Sequence, residues 1–344
     1  MKGSQIGIIG GGIAAAVIIA VLFVSMGAQN DVAVPTVDPQ NDIAIEPEEK
    51  FLVYTTFYPL YQFTQGVAGD AAEVRILIPS NADPHASELG PQTIAALTKA
   101  DMVIYNGADF EPYIDEIMSA SDFAHIVFVD SSEGIDLMEG EAHDHSSHGS
   151  HGEDVHDDHS KEDGHDEHGE EVVIDHTYDP HIWLDPILAK AQVMTIADHL
   201  QESDPAHAEI YHDNAISYAN QLDQLDQEIR SDVSSCAKDT FVPFHNAFSY
   251  FAERYDLTTL AVIQEFSPET PVTAKDIEEL IHFAEDNDIK YFFTEENRNP
   301  KLAERLAAEL GGDILLFSPL ESLSESDDPK VTYFEKMRQN VDNL

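Results

Sequence analysis

The sequence predicts an α/β protein built as two Rossmann-like lobes joined by a long spine helix, with a cleft between the lobes. Three observations carry this reading. Strand-like runs alternate with helical runs in both halves, which is the pattern of parallel sheets covered by helices. Between the halves, Tyr211, Ala215, Tyr218, Leu222, Leu225, Ile229 and Val233 recur at spacings of three and four. They form one apolar stripe on a helix of about 28 residues, roughly 40 Å long. Finally, His85, His181 and His245 each stand beside turn chemistry near a predicted strand edge. In open α/β sheets, ligands bind beyond the carboxyl ends of the strands.

The elements follow in order. Phe51 to Phe57 is a β-rich run ended by Tyr58-Pro59, and a helix follows to Ala68. Val74 to Ile78 is a second strand, stopped by Pro79; the turn Asn81-Ala82-Asp83-Pro84-His85 comes next. Pro91 opens a helix to about Lys99, as proline suits a first helical turn. Met102 to Tyr105 is a strand closed by Asn106-Gly107, Glu111-Pro112 starts a helix, and His125 to Val129 is a fourth strand. A helix runs from Pro186 to Leu200. Asp204-Pro205 then reads as an N-cap and first-turn proline for the spine. The second series has strands at Thr240 to Phe244, Leu260 to Ile263, Ile289 to Phe293 and Ile314 to Phe317. Its helices run from His245-Asn246-Ala247-Phe248 to Tyr255, Val272 to Asp286, Asn299 or Pro300 to Leu310, and Lys330 to Asn340. Glu295 and Ser318 follow strand ends.

Residues 139–171 break this pattern. They hold eight His (His143, His145, His148, His151, His156, His159, His165 and His168) and thirteen Asp or Glu, with almost no apolar residue. Such a segment buries too little surface to fold. Imidazoles and carboxylates are good ligands, so it reads as a collector of divalent metal with many weak sites rather than a merely solvated loop. At the other extreme, residues 6–28 are uncharged and mostly apolar, long enough to span a bilayer core. They read as an uncleaved N-terminal anchor, with cleavage near Ala28 as the alternative. Residues 29–48, rich in Pro and acid, read as a tether. The expected division is thus an anchor or signal segment at 1–28, a tether at 29–48, a first lobe at 49–203 containing the His/acid loop 139–176, a spine at 204–235 and a second lobe at 236–344.

Composition narrows the function. Asp and Glu number 66 against 17 Lys and Arg, a formal charge of −49. Phosphate binding needs clustered cations, so nucleic acid is excluded as a partner. The single Cys236 excludes an intrachain disulfide and a Cys-rich zinc module. In Asp179-Pro180-His181-Ile182-Trp183-Leu184-Asp185-Pro186, which holds the chain's only Trp, two prolines fix His181 on a short extended piece before a helix. Each of these His, taken alone, is also readable as a packed core residue.

Together with Tyr58-Pro59-Leu60, Pro84-His85, Ala100-Asp101-Met102-Val103 and Asn106-Gly107, the acidic His loop, Phe244-His245-Asn246-Ala247-Phe248-Ser249-Tyr250-Phe251 and Phe293-Thr294-Glu295, this stretch resembles the zinc/manganese solute-binding proteins of ABC importers over residues 50–342. The resemblance implies two α/β lobes on a long helix, with metal between them on His85, His181 and His245. The family's Asp after the last strand is here Ser318, in Leu316-Phe317-Ser318-Pro319-Leu320. The fourth position is then open to Ser318, water, Glu295 or a loop His. Three His favour Zn²⁺ over Mn²⁺. The implied role is a monomeric, extracytoplasmic protein handing Zn²⁺ to an ABC permease. A surface adhesin or metal buffer, and a zinc hydrolase with an open water position, are the alternatives from other classes.

Overall fold

The computed structural model describes residues 50–79, 82, 84–85, 87–140, 178–263, 272–324 and 326–344. All of them lie within one compact unit, residues 49–344. The predicted anchor, the tether and the eight loop histidines fall outside the described residues. Among those described, no helix is long and apolar enough to cross a membrane.

The first half is a four-stranded parallel sheet of β1 (Phe51–Thr55), β2 (Ala72–Ile76), β3 (Met102–Tyr105) and β4 (Val127–Asp130), in the order β2-β1-β3-β4. Its register pairs Val53 with both Val74 and Met102, and Met102 with Val127. Helices α1 (Tyr58–Ala68), α2 (Pro91–Leu97) and α3 (Ile114–Ser119) connect the strands. The second strand expected from sequence extends to Ile78, two residues past β2. Ladder bonds do continue there, from Leu77 N to Thr55 O and Ile78 N to Thr56 O, until Pro79 removes the next donor. The helix expected from Glu111 begins only at Ile114. The Glu111 carboxylate is occupied instead, accepting from Thr56 Oγ1 (2.6 Å), Asn106 N (2.8 Å) and Gly107 N (3.2 Å).

The second half repeats the plan. Strands β5 (Thr240–Phe241) and β6 (Thr258–Thr259) pair in parallel, as do β7 (Tyr291–Thr294) and β8 (Asp313–Leu316). A single bond from Phe293 N to Val242 O, just past β5, links the two pairs. The strand predicted through Phe244 is shorter because Pro243 has no N–H to donate. Pairing resumes beyond it through Val262 N to Pro243 O and Ile263 N to Phe244 O. Helices α6 (Ser249–Arg254), α7 (Ala274–Asp286), α8 (Lys301–Leu310) and α9 (Tyr333–Asn343) complete it. Gly311, at φ +67°, ends α8 in the left-handed conformation that glycine adopts without strain.

Helix α4 (Pro186–Ser203) leads through a short 3₁₀ turn, Pro205–His207, into the spine α5 (Ala208–Val233). The predicted N-cap, Asp204, does not cap α5. Its carboxylate is taken by His207 Nδ1 (2.7 Å) and the Tyr211 hydroxyl (2.6 Å), and the helix starts three residues later than Pro205 suggested. All seven residues of the predicted stripe are buried. They pack on α1 and α4 from the first half and α9 from the second, so one apolar core runs through both halves. Phe63 packs edge-on and Phe334 tilted against Tyr218, with ring centroids 6.0 and 4.9 Å away.

The halves are also stitched by long-range hydrogen bonds. Trp183 Nε1 donates to Pro319 O (2.7 Å), Tyr58 OH to Val331 O (2.7 Å) and Tyr250 OH to Asp179 O (2.9 Å). The Arg254 guanidinium meets Asp185, the N-cap of α4, at 2.7 Å.

Two consequences are measurable. A Cβ on Gly66 of α1 would stand 2.4 Å from the Tyr218 ring. Alanine gains up to about 1 kcal/mol in a helix interior, but overpacking of this kind costs about 1–3 kcal/mol. Gly66→Ala is therefore expected to lower the thermal midpoint; a raised midpoint would show that α1 and α5 separate freely. Second, burial pushes the Glu111 carboxyl up to about 7, against the hydrogen bonds it accepts. A carboxyl raised on folding favours the folded state below its unfolded pKa and loses that contribution as pH rises through the folded value. Glu111 should thus cost stability progressively from about pH 4.5 to 7, by at most about 1.4 kcal/mol per unit. Denaturant titrations of wild type and Glu111→Gln across this window should differ in slope, the variant being flatter.

Candidate metal centre

His85 follows the end of β2 in a bend after Pro84. His245 follows β5, at a bridge to Ile263. His181 precedes a 3₁₀ turn, Ile182–Leu184, that leads into Asp185 and α4. The fold brings these three histidines together, with ring centroids 5.2–6.0 Å apart. A fourth group, not expected from sequence, joins them. Glu321 Oε1 lies 3.1, 3.2 and 3.3 Å from the Nε2 atoms of His85, His181 and His245. The Nε2 atoms of His181 and His245 are 3.3 Å apart. A tetrahedron with metal–ligand bonds of 2.0–2.1 Å has edges of about 3.3 Å. These four separations match that edge, and all four donor atoms lie within 4.8 Å of one another. All four residues are buried, none more than 4 % exposed, and among the described residues they form the one group of His, Cys, Asp or Glu with this convergence.

The two residues considered from sequence for the fourth position lie elsewhere. Glu295 stands behind His245, its Oε1 accepting from Nδ1 (2.5 Å) and from the His245 backbone N–H (3.2 Å). The Ser318 hydroxyl accepts from Leu320 N (3.1 Å) inside the turn that follows β8. That turn places Leu320 at φ +60° and delivers the next side chain, Glu321, to the cluster. The signal for Glu321 is present in Ser318-Pro319-Leu320-Glu321, an acid within one turn of a strand end. Matching the family's Asp to the residue at the same place in the motif points to Ser318 instead, three residues too early.

Each of two histidines is oriented by a carboxylate. Asp179 Oδ1 accepts from His181 Nδ1 (2.8 Å) and His181 N (2.9 Å), and Glu295 does the same for His245. A proton held on Nδ1 leaves the Nε2 lone pair facing inward and makes it more basic. Asn106 fixes the His181 segment from below. Its Nδ2 donates to Pro180 O (2.8 Å), and its Oδ1 accepts from Gln192 Nε2 (3.1 Å).

Burial alone would lower the histidine pKa values. For His181 the hydrogen bonds of Asp179 and Glu321 outweigh it and raise the pKa; for His245 the charges of Glu295 and Glu321 raise it to about 10. Burial would raise Glu321, but the charges of His85 and His245 and its hydrogen bonds hold it well below the usual carboxylate range. A cation entering the cluster therefore displaces protons from these nitrogens.

Residues 53–344 match the family described as ZnuA, zinc-uptake complex component A, periplasmic. The chain belongs to this family. It is 34% identical over 297 residues to the high-affinity zinc uptake system protein ZnuA of Bacillus subtilis, covering 86% of this chain and 87% of that one. It is 32% identical over 298 residues to the zinc-binding protein AdcA of Streptococcus pyogenes, again over 86% of this chain but only 56% of AdcA, so it spans about half of that longer relative. Among solved structures, Streptococcus pneumoniae AdcAII superposes with a TM-score of 0.71 at 27% identity, covering 87% of this chain and all of that one. The laminin-binding protein Lmb of Streptococcus agalactiae, described as bifunctional with adhesin and metal-transporting activity, gives 0.70 at 27% identity over 85% and 97%. A ZnuA deletion mutant with zinc bound gives 0.65 at 28% identity over 79% and 91%. The two-lobe α/β architecture is that of the family.

Trp183, the only tryptophan, has its ring 5.2 Å from that of His181. Titration with Zn²⁺ is expected to change its fluorescence in a saturable way. Partners behind a ligating histidine are worth about 10- to 100-fold in metal affinity. Glu295→Gln should shift the titration midpoint upward within that range; an unshifted midpoint would show that Glu295 does not orient His245.

Proposed function

We propose that this chain captures Zn²⁺ outside the cytoplasm on His85, His181, His245 and Glu321 and hands it to an ABC permease. The observation that carries this reading is the buried group of four donor atoms within 4.8 Å of one another, in a chain of a zinc-uptake family. Three imidazoles and one carboxylate suit zinc better than manganese, which favours oxygen-rich sites.

Two donors come from each half of the molecule, so a bound ion bridges them and adds to their packing. Binding to the folded state alone stabilises it by about 4 kcal/mol at a thousandfold excess over Kd. With its donors buried, the ion sheds its water on entry, and release requires the four groups to part. Four protein donors also close the coordination sphere, whereas a catalytic zinc keeps a position open for water. The arrangement thus argues for binding without hydrolysis. Adhesion is described for Lmb; the buried cluster explains metal capture and gives no argument for adhesion here.

The rest of the reading extends this one. Residues 1–28 anchor or export the chain and 29–48 tether it. The lobes at 49–203 and 236–344 flank the spine at 204–235, and the protein acts as a monomer. The His/acid loop gathers ions at many weak sites, because ligands without fixed geometry lose entropy on binding.

Isothermal titration tests the assignment. Protein lacking residues 141–170 should bind one Zn²⁺ tightly. Glu321→Ala or His245→Ala on that background should lose affinity at least a hundredfold, since either leaves the sphere one ligand short. Tight binding retained by both variants would refute the ligand set.

A further inference from the structure

The last helix, α9, presents one face to three of the segments that carry the metal centre. Tyr333, Lys336 and Asn340, spaced i, i+3 and i+7, share that face, and all three are buried. The Tyr333 hydroxyl donates to Trp183 O (2.7 Å), two residues beyond His181. The Lys336 ammonium forms a buried ion pair with Glu296, the neighbour of Glu295. Asn340 brackets Ser318 with both ends of its amide: Oδ1 accepts from Ser318 N (2.7 Å) and Nδ2 donates to Ser318 O (2.6 Å). The start of the helix is itself fixed by a capping box between Thr332 and Glu335.

Asn340 matters because Ser318 opens the turn that carries the fourth donor. The chain passes through Leu320 at φ +60°, a region that a branched side chain avoids, and then presents Glu321. Such a residue persists only where its surroundings over-determine it. Here Leu320 is fully buried and its N–H is held by Ser318 Oγ. The backbone of Ser318 is in turn held on both sides by Asn340. A carboxylate that must meet three imidazole nitrogens at once tolerates a placement error of only about 0.5 Å.

We propose that Asn340 is a positioning residue for the metal centre, acting through Glu321: it locks the turn that aims this carboxylate and so sets how long a bound ion is retained. The proposal rests on the reading of Glu321 as the fourth donor.

The test is a double-mutant cycle on the full chain, comparing wild type, Asn340→Ala, Glu321→Ala and the double variant. Zinc affinity is measured by competition with a chelating dye, and release is followed by Trp183 fluorescence. Asn340→Ala should weaken zinc binding by about 10- to 100-fold, mainly through faster release, in the range set by groups that orient ligands. Against Glu321→Ala the same substitution should cost nothing further. Asn340→Asp keeps the size and the acceptor for Ser318 N–H, so it should retain an intermediate affinity; it carries the test if the alanine variant does not fold. Unchanged affinity in both Asn340 variants would overturn the proposal. So would an equal loss with and without Glu321, which would mean general loosening of α9. Wild-type affinity in Glu321→Ala would overturn the ligand assignment and this role together, whereas a loss there with none at Asn340 overturns the role of α9 alone.

Discussion

Three imidazole nitrogens and a carboxylate oxygen converge within 4.8 Å of one another, away from bulk water, and most of the structure serves that juxtaposition. Neighbouring charges and hydrogen bonds hold Glu321 well below the usual carboxylate range, and the carboxylates around them raise His181 and His245. Desolvation opposes charge in such a place, so every member needs a partner. Asp179 behind His181 and Glu295 behind His245 meet that need and fix the tautomers. The same atoms that satisfy the centre therefore also aim it.

The scaffold is suited to holding such geometry. Both halves are built from parallel strand pairs with connecting helices, and donors lie in the loops where these elements converge. The spine carries a single apolar stripe that α1, α4 and α9 all use, so the core is continuous between the halves. Phe57, Phe110 and Trp183 pack edge to face directly beside His85 and His181. Close-packed interiors deform little, and a centre set against one inherits its rigidity.

Much of this is legible from residues alone. Strand and helix order, the stripe from Tyr211 to Val233 and the stops at Pro79 and Gly311 are local signals, written in periodicity and turn chemistry. The placement of His85 and His245 after strands and of His181 between two prolines before a helix rests on the same signals, and the fold does draw them together. Where sequence and structure part, local competition is the cause. Asp204 gives its carboxylate to His207 and Tyr211 rather than to the helix backbone, and Pro243 interrupts a run whose side chains otherwise favour a strand.

What the sequence determined by itself was the set of elements, their α/β order and the turns that carry three histidines, because each depends on residues a few positions apart. Only the tertiary structure decided that Glu321 stands among these histidines, that Glu295 lies behind His245, and that Ser318 shapes a turn. Glu321 meets His85 across 236 positions of chain, and Trp183 meets Pro319 across 136. No periodicity encodes such a contact. It exists because the sheets and a shared core fix the loops at their ends in space.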